Sequence, residues 1–284
     1  MGLQIADSSP ALPDWLLPLA QAADAAAADS GNGLGPRFTR PEGMDGVPRR
    51  SAVLILFGED PASGPDLLFV ERAKTLRNHP GQPAFPGGKV DPGEGPVTTA
   101  LREANEETDL DPAGVQVFGI LPDQYVWPSD FLVTPVLGWW RTPSPVRVRD
   151  TREVASVARI PVSDLADPAN RVSIGHPSGR SGPAFEAGSL LIWGFTAALL
   201  DGVLKAGGWE RPWDAGRIVP LPQEVLALAV RNLAAPGEKI ARWTSSTSCC
   251  CSSWRRSRSP GTGRVSSSGW CPSRASSAAW RWAS

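Results

Sequence analysis

The 284-residue sequence predicts an α/β fold, because two stretches with the pattern of strands precede one with the period of a helix. Residues 51–57, SAVLILF, form a continuous apolar run of strand length, which is typical of a buried strand. A turn rich in Gly, Asp and Pro separates this run from a second strand at residues 66–72, DLLFVER. Apolar side chains then recur at helical spacing, at Val97, Ala100, Leu101 and Ala104.

Composition and charge are those of an ordinary globular protein. The formal net charge is -1 at pH 7, so charge gives no reason to expect binding to nucleic acid. No apolar run reaches the roughly 20 residues that a membrane-spanning helix needs. The first residues also lack the basic start and apolar core of a signal peptide. We therefore expect a cytoplasmic protein with neither nucleic acid nor a membrane as its partner.

The composition divides the chain into three parts. Residues 1–50 form an N-terminal extension, in which Leu16, Leu17 and Leu19 ahead of an alanine-rich run predict one short helix, packed loosely on the domain. Residues 51–240 form the main domain. Residues 244–284 are rich in Ser, Arg and Trp and contain no Asp or Glu.

All four cysteines lie in this last part, and three of them are adjacent, at residues 249–251. That spacing suits neither a zinc site nor a disulfide framework. We expect residues 244–284 to be disordered or to be an out-of-frame translation of GC-rich DNA. A nucleic-acid-binding role for its arginines and tryptophans ranks below both.

The stretch from Gly87 to Leu110 concentrates the residues that carry chemistry. A Gly/Pro-rich, irregular loop leads to Pro96, which suits the first turn of a helix. On that helix Glu103, Glu106 and Glu107 share one face, because they stand at i, i+3 and i+4. Close carboxylates raise one another's pKa unless a cation lies among them, and such hard oxygen ligands suit Mg²⁺ or Mn²⁺. The pattern predicts a metal site; the alternative is a solvated acidic face.

The spacing of these residues favours the metal site. Five residues separate Gly88 from Glu94, and seven separate Glu94 from the pair Arg102-Glu103. This pattern closely resembles the Nudix box, Gly-x5-Glu-x7-Arg-Glu-apolar-x-Glu-Glu-x-Gly-apolar, with Asp109 in place of the final glycine. That glycine is expected in a left-handed conformation at the helix end. Asp tolerates this conformation better than most residues, so the replacement should cost some stability without removing the site.

The resemblance implies an α/β/α sandwich with a mixed β-sheet, and hydrolysis of a nucleoside diphosphate linked to a further group. In that family the glutamates matching Glu103, Glu106 and Glu107 hold the metal, and the residues matching Arg102 and Glu94 orient them. Homodimers are common among Nudix proteins, so the resemblance also allows a homodimer.

Residues 72–88 carry a second resemblance, to the coenzyme A pyrophosphatase branch of the Nudix family. Together with the residues just before them, from Leu67 onwards, they match its signature Leu-Leu-x-x-Arg-x-x-x-Leu-Arg-x-His-x-Gly-Gln-x-x-Phe-Pro-Gly-Gly over residues 67–88, with minor departures at Phe69, Val70 and Ala73. The resemblance predicts a substrate-binding set of Arg72, Arg77, His79, Gln82, Phe85, Gly87 and Gly88. The two arginines and the histidine offer cationic donors to phosphates, notably a 3′-phosphate. Alternatively, the arginines are partners of the acidic helix and the histidine is satisfied within its loop.

Downstream of the box, residues 115–121 and 131–140 predict two more strands. The aromatic side chains near the loop between them either stack on the adenine of a substrate or belong to the core. They are Tyr125, Trp127 and Phe131.

Two later stretches also carry predictions. Glu153, in the strand-like run at residues 152–157, either faces the metals as a further ligand or general base, as in many Nudix proteins, or is a strand-edge carboxylate in water. Residues 188–204 predict one apolar helix, in which Gly194 allows a close backbone approach, and residues 222–233 predict an amphipathic helix.

Together the resemblances predict Mg²⁺- or Mn²⁺-dependent hydrolysis of the pyrophosphate bond of coenzyme A or acyl-coenzyme A, giving 3′,5′-ADP and 4′-phosphopantetheine from the free cofactor. Glu106, Glu153 or Glu103 in a second role takes the proton of the attacking water. One alternative keeps the chemistry and changes the substrate to ADP-ribose, NADH or a nucleoside triphosphate. Another is a catalytically silent Nudix domain that binds a ligand.

Overall fold

The computed structural model describes residues 11–28, 40, 46–76, 79–126, 129–175, 181–221 and 223. In chain order the elements are a 3₁₀ turn at Asp14–Leu16, α1 (Leu17–Ala28), β1 (Arg49–Asp60), β2 (Gly64–Arg72), β3 (Pro83–Ala84), β4 (Gly87–Lys89), α2 (Pro96–Thr108), β5 (Val115–Ile120), β6 (Gln124–Val126), β7 (Phe131–Trp140), β8 (Val154–Pro161), α3 (Val162–Leu165), β9 (Arg171–Gly175), β10 (Ser181–Ala187), β11 (Leu190–Ile192), α4 (Gly194–Ala206) and β12 (Ile218–Val219).

The main sheet has eight strands, with a path in the order β3-β2-β1-β7-β5. Off this path, β4 pairs with β1, β6 with β7 and β8 with β2. The central strands β1 and β7 run parallel, from Arg49 opposite Phe131 to Phe57 opposite Trp139. The other pairs in this sheet are antiparallel. The prediction of a mixed sheet is therefore confirmed.

The middle of β1, from Ala52 to Phe57, is apolar because both of its faces are buried there. Successive side chains of a strand point to opposite faces of the sheet. Ala52, Leu54 and Leu56 pack into the core beneath α2, while Ile55 and Phe57 pack into the core that also includes residues of α1 and α4. The sheet thus lies between helices on its two faces, and the predicted α/β/α sandwich is confirmed.

The N-terminal helix is more tightly packed than the sequence predicted. Leu16 and Leu19 have no exposed surface, and the ring of Trp15 meets that of Trp139 edge-on at 5.4 Å between centroids. Small residues allow this approach, since a Cβ on Gly119 would lie 3.1 Å from that of Ala23. The expectation of a loosely packed helix is wrong, because the alanines bring the helix close to the sheet.

The apolar run at residues 188–204 is a strand followed by a helix rather than one helix. Leu190–Ile192 forms β11, the edge of a second sheet with the order β11-β10-β9-β12. Gly194 begins α4 with φ of +64°, and in the part of the chain that the structure describes no other residue lies within 4 Å of the position of a Cβ there. Its role is therefore the left-handed backbone conformation and not the close approach that the sequence suggested. Among the described residues no helix is long and apolar enough to cross a membrane.

Three predictions lie outside the described residues. They concern the side chains of Arg77 and Trp127, the tail at residues 244–284 and nearly all of the helix expected at residues 222–233.

Candidate active site

Helix α2 has the two ends that the sequence predicted. Pro96 is its first residue, and Asp109 follows its last turn in the left-handed conformation, with φ of 60° and ψ of 19°. The N–H of Asp109 donates to the carbonyl oxygen of Asn105 at 2.9 Å, and its carboxylate forms an ion pair with Arg147 at 2.8 Å. The left-handed helix end is confirmed, and Asp109 occupies it in place of glycine.

The glycines before the helix are required by close contacts. Gly87 and Gly88 belong to the short strand β4, paired with β1, where the sequence predicted an irregular loop. A Cβ at Gly87 would overlap the carbonyl oxygen of Ala52, and one at Gly88 would overlap the carboxylate of Glu103. The contact at Gly87 is with backbone and excludes a side chain there, whereas the contact at Gly88 is with the end of the Glu103 side chain and shows how closely the strand approaches the acidic helix.

Arg102 connects three of the carboxylates. Its Nε donates to Glu94 at 2.9 Å, and its Nη1 lies 3.0 Å from Glu106 and 3.1 Å from Glu103. The hydrogen bonds from Arg102, assisted by one from Thr99, lower the pKa of Glu94 to about 2. Arg102 therefore stays charged and fixes the acidic side chains around it.

Glu107 is the buried member of the acidic set. Its side chain is 3% exposed, and it accepts a hydrogen bond of 3.0 Å from the N–H of Gly87. Burial raises its pKa to about 7, although the Gly87 N–H and the charge of Arg72 oppose the rise. Burial also raises the pKa of Glu103. A cation placed beside these two carboxylates would relieve the cost of ionising them.

Glu153 precedes β8 and is joined to the same region. Its carbonyl oxygen accepts a hydrogen bond of 2.8 Å from the N–H of Ala73. Its negative charge contributes to the raised pKa values of Glu103 and Glu107. Glu106 contributes likewise to the raised pKa of Glu103, and Glu103 to that of Glu107. The charge of Glu153 therefore acts on the acidic helix, as expected if it faces the site.

Arg72, from the upstream signature, lies against the acidic helix. Its Nη1 is 3.8 Å from Glu107 Oε1, at the end of β2 where a register shift separates Glu71 from Arg72. Backbone hydrogen bonds between Arg72 and both Gly81 and Gln82 close the loop that follows, at 3.0 and 3.1 Å. The sequence left open whether Arg72 meets phosphate or the acidic helix, and here it meets the helix.

The other described signature residues support this loop. His79 has φ of 53°, and its Nδ1 lies 3.1 Å from Oε1 of Gln82. Burial lowers the pKa of His79, so the neutral ring is favoured over the cationic donor that the sequence suggested. Phe85 is 3% exposed and stacks on Phe69 with 4.9 Å between ring centroids. In this conformation its ring supports the loop from the core.

Of the aromatic residues expected near an adenine, the two described ones, Tyr125 and Phe131, have structural partners. Tyr125 is 2% exposed, and its hydroxyl donates to Asp130 at 2.9 Å. The guanidinium of Arg49 lies over the ring of Phe131, 4.1 Å from its centroid. The core interpretation therefore holds for Tyr125.

Apart from Glu153, the connection from β7 to β8 at residues 141–153 is a part of the candidate site that sequence reasoning missed. Its backbone N–H groups at Arg147 and Arg149 donate to the carbonyl oxygens of Thr108 and Glu107, at 2.9 and 3.1 Å. It lies beside a recess of about 390 Å³, lined by Glu106, Arg149, Asp150, Arg152 and Glu153. The only signal in the sequence was the concentration of arginines, which is ordinary for a surface loop.

The carboxylate side chains at this site are of the chemical type that binds divalent cations. Carboxylate oxygens are the ligands that Mg²⁺ and Mn²⁺ prefer, and Glu107 is a buried acid whose ionised form needs a nearby positive charge. In the arrangement described, no group of three acidic, His or Cys side chains encloses a position for a metal within the described residues. Arg102 holds Glu103 and Glu106 instead. Metal binding would therefore require these side chains to turn.

Comparison with known proteins identifies a family and several relatives that this chain resembles. A family model described as NUDIX domain matches residues 47–177. An uncharacterized Nudix hydrolase NudL from Cronobacter sakazakii is 41% identical over 121 residues, which cover 41% of this chain and 59% of that protein. A NudL protein from Citrobacter koseri is 36% identical over 165 residues, covering 54% of this chain and 79% of that one. A solved Nudix hydrolase from Nitrosomonas europaea aligns over 65% of this chain and 88% of its own, with a TM-score of 0.39 and 14% identity.

The chain belongs to the Nudix hydrolase family. Its matched region spans 59% of the length of the Cronobacter NudL protein and 79% of the Citrobacter one.

Proposed function

We propose that this chain hydrolyses the pyrophosphate bond of coenzyme A or its acyl derivatives with the help of Mg²⁺ or Mn²⁺. The products from coenzyme A would be 3′,5′-ADP and 4′-phosphopantetheine. The proposal combines the chemistry of the acidic helix with the substrate class indicated by the signature at residues 72–88.

The observation that carries the proposal is the contact between Arg72 and Glu107, 3.8 Å apart. It joins the segment that resembles a coenzyme A signature to the buried carboxylate of the metal-binding box. A substrate held by that segment would have its diphosphate beside the carboxylates, because the loop from Arg72 to Gln82 is closed by backbone hydrogen bonds. Positioning of this kind supplies a large part of catalysis in phosphoryl transfer.

Glu103, Glu106 and Glu107 would hold the metal, which when bound neutralises the diphosphate and polarises water. Arg102 keeps Glu94, Glu103 and Glu106 in place through its hydrogen bonds and ion pairs.

A carboxylate close to the attacking water takes its proton as the water approaches phosphorus in line. Glu106 and Glu153 both line the recess beside the helix and are the two exposed candidates for this role. Glu103 is half-buried and bound to Arg102, so it would have to turn away from that arginine first.

The test is a product analysis with coenzyme A, acetyl-coenzyme A, ADP-ribose and NADH at equal concentration, with Mg²⁺ and with Mn²⁺. Glu107→Gln keeps the shape of the side chain and removes its charge, so it should abolish turnover. Glu59→Gln is the matched control, because Glu59 is an exposed acid at the opposite end of β1 from the glycine strand.

Cleavage mainly of coenzyme A compounds, lost in Glu107→Gln and kept in Glu59→Gln, would support the proposal. Faster turnover of ADP-ribose or NADH would retain the metal chemistry and refute the coenzyme A assignment. A folded protein that turns over none of the four would refute hydrolysis and leave a ligand-binding Nudix domain.

A further inference from the structure

The loop at residues 141–153 carries three arginines close to the acidic helix, and two of them are neutralised. Arg152 forms a two-pronged ion pair with Asp150, with distances of 2.9 Å from Nε and 2.6 Å from Nη2. Arg147 pairs with Asp109 at 2.8 Å. Arg149 differs, because within the described part of the chain its guanidinium donates only to neutral oxygens of Asn105. It therefore retains an uncompensated positive charge.

Arg149 is also held in position. Its Nη1 lies 2.6 Å from Oδ1 of Asn105, and its backbone N–H donates to the carbonyl oxygen of Glu107 at 3.1 Å. Side chain and backbone are thus both anchored to α2, the helix that carries the candidate metal ligands. A planar guanidinium fixed at one nitrogen keeps its other donors in a defined direction, which suits recognition of phosphate oxygens.

The recess beside Arg149 has room for an anion. Its other lining residues are the closed pair of Arg152 with Asp150, and the two carboxylates Glu106 and Glu153. Glu106 already has Arg102 as its cationic partner at 3.0 Å. Glu153 is exposed and adds a negative charge to the recess. The guanidinium donors of Arg149 that Asn105 does not occupy are the donors that the recess offers to a group entering from solvent.

We propose that Arg149 binds a phosphoryl group of the substrate diphosphate in this recess, on the side of the acidic helix next to Glu106 and Glu153. The inference rests on the proposed function for the identity of the substrate, but it assigns a binding residue that the family box and the upstream signature do not contain. In this proposal Arg149 binds the anionic phosphoryl group, and a carboxylate accepts the proton of the attacking water.

A purely structural role for Arg149 is the competing explanation. A cation near the last turn of a helix interacts favourably with the helix dipole and with the last carbonyl groups. Arg147 stabilises the end of α2 in this way, since it pairs with Asp109, the residue that ends the helix. The two arginines therefore provide a matched comparison, because both stabilise the end of α2 and only Arg149 lines the recess.

The experiment measures binding of imidodiphosphate, a diphosphate analogue with a nitrogen bridge, to the full chain by titration calorimetry, with Mg²⁺ and again in EDTA. Loss of one charge-assisted hydrogen bond weakens binding by about tenfold or more, so we expect that loss for Arg149→Gln in both conditions. Arg149→Lys keeps the charge and should recover part of the affinity. Arg147→Gln should change it less than about twofold, because a rim charge outside the contact contributes little.

Equal affinity in Arg149→Gln and the wild-type protein would overturn the proposal, and so would an equal loss in Arg147→Gln. A wild-type protein that does not bind imidodiphosphate would overturn it as well. Turnover is measured separately, so failure of the two proposals can be distinguished. If binding depends on Arg149 but no substrate is turned over, the hydrolase proposal fails and the Arg149 proposal stands. If coenzyme A is turned over and Arg149→Gln does not affect that turnover, the hydrolase proposal stands and the Arg149 proposal fails.

Discussion

Replacing Glu107 by glutamine should stabilise the metal-free protein at alkaline pH while abolishing its activity. Glu107 is almost fully buried, and burial raises its pKa to about 7 from an ordinary value of 4.5. Glutamine keeps an oxygen that can accept the hydrogen bond from the Gly87 N–H, and it stays uncharged at every pH. The substitution therefore removes the cost of ionising a buried acid without removing the shape or the hydrogen bond.

The direction of the pH dependence follows from the raised pKa. Between pH 4.5 and 7 the folded protein holds a proton on Glu107 that the unfolded chain has lost, so stability falls as pH rises through this window. The stabilising contribution of the raised Glu107 pKa is fully present below pH 4.5 and is lost above pH 7. Since one pKa unit corresponds to about 1.4 kcal/mol, the ionised carboxylate costs the folded state about 3 kcal/mol at pH 8.5. Glu107→Gln avoids this cost.

The assay is urea unfolding of the wild-type protein and Glu107→Gln at pH 5 and pH 8.5, in EDTA. We expect the free energies of unfolding to differ by less than about 1 kcal/mol at pH 5, and the variant to be more stable by up to about 3 kcal/mol at pH 8.5. Mg²⁺ added at pH 8.5 should raise the stability of the wild-type protein more than that of the variant. A variant that is equally or less stable at pH 8.5 would refute the assignment of Glu107 as a buried, destabilising charge.

Three further predictions concern other charged groups. Arg102→Lys keeps a positive charge but loses the forked set of guanidinium donors. We expect the affinity for metal, measured by calorimetric titration, to fall by about 10- to 100-fold. An unchanged affinity would contradict the orienting role of Arg102. Glu153→Gln should lower kcat by about 10²- to 10⁴-fold with little change in the affinity for imidodiphosphate, and a loss of less than about threefold would leave the base to another carboxylate. Asp201→Ala removes the carboxylate nearest the fully buried Arg171 and should cost about 3 kcal/mol or more of folding free energy in urea unfolding. The exposed partner Lys205 is the control, since its replacement by alanine should cost less than about 1 kcal/mol.

The parts of the fold set by local pattern could be predicted from the sequence. The run at residues 51–57 gives a buried strand because each face of the sheet has its own core, and an apolar residue is needed at every position. Pro96 and the spacing of apolar residues give the start and the inward face of α2. Asp109 in the left-handed conformation follows from the need to end that helix. Each prediction depends on residues that are neighbours along the chain.

The misjudged parts depend on partners that are distant in sequence. An apolar run at residues 188–204 is compatible with strand or helix, and only pairing of Leu190–Ile192 with β10 decides for a strand in its first part. Close packing of the N-terminal helix requires Gly119 opposite Ala23, which no local pattern reveals. The state of His79 depends on burial, a property of the surrounding loop.

The same distinction applies to the candidate site. Arg102 joins Glu103 and Glu106 on its own helix and Glu94 just before it, so this network is encoded in the box spacing. It is compatible with any substrate containing a diphosphate. Contacts from outside the box come from two other segments, through Arg72 at the end of β2 and Arg149 in the loop before β8. Since the box supplies chemistry common to the family, discrimination among substrates has to come from such segments. Exchanging Arg72 should therefore alter the order of preference among substrates, whereas substitutions of the box glutamates, or of Arg149 as a ligand of the diphosphate that these substrates share, should lower turnover of all of them together.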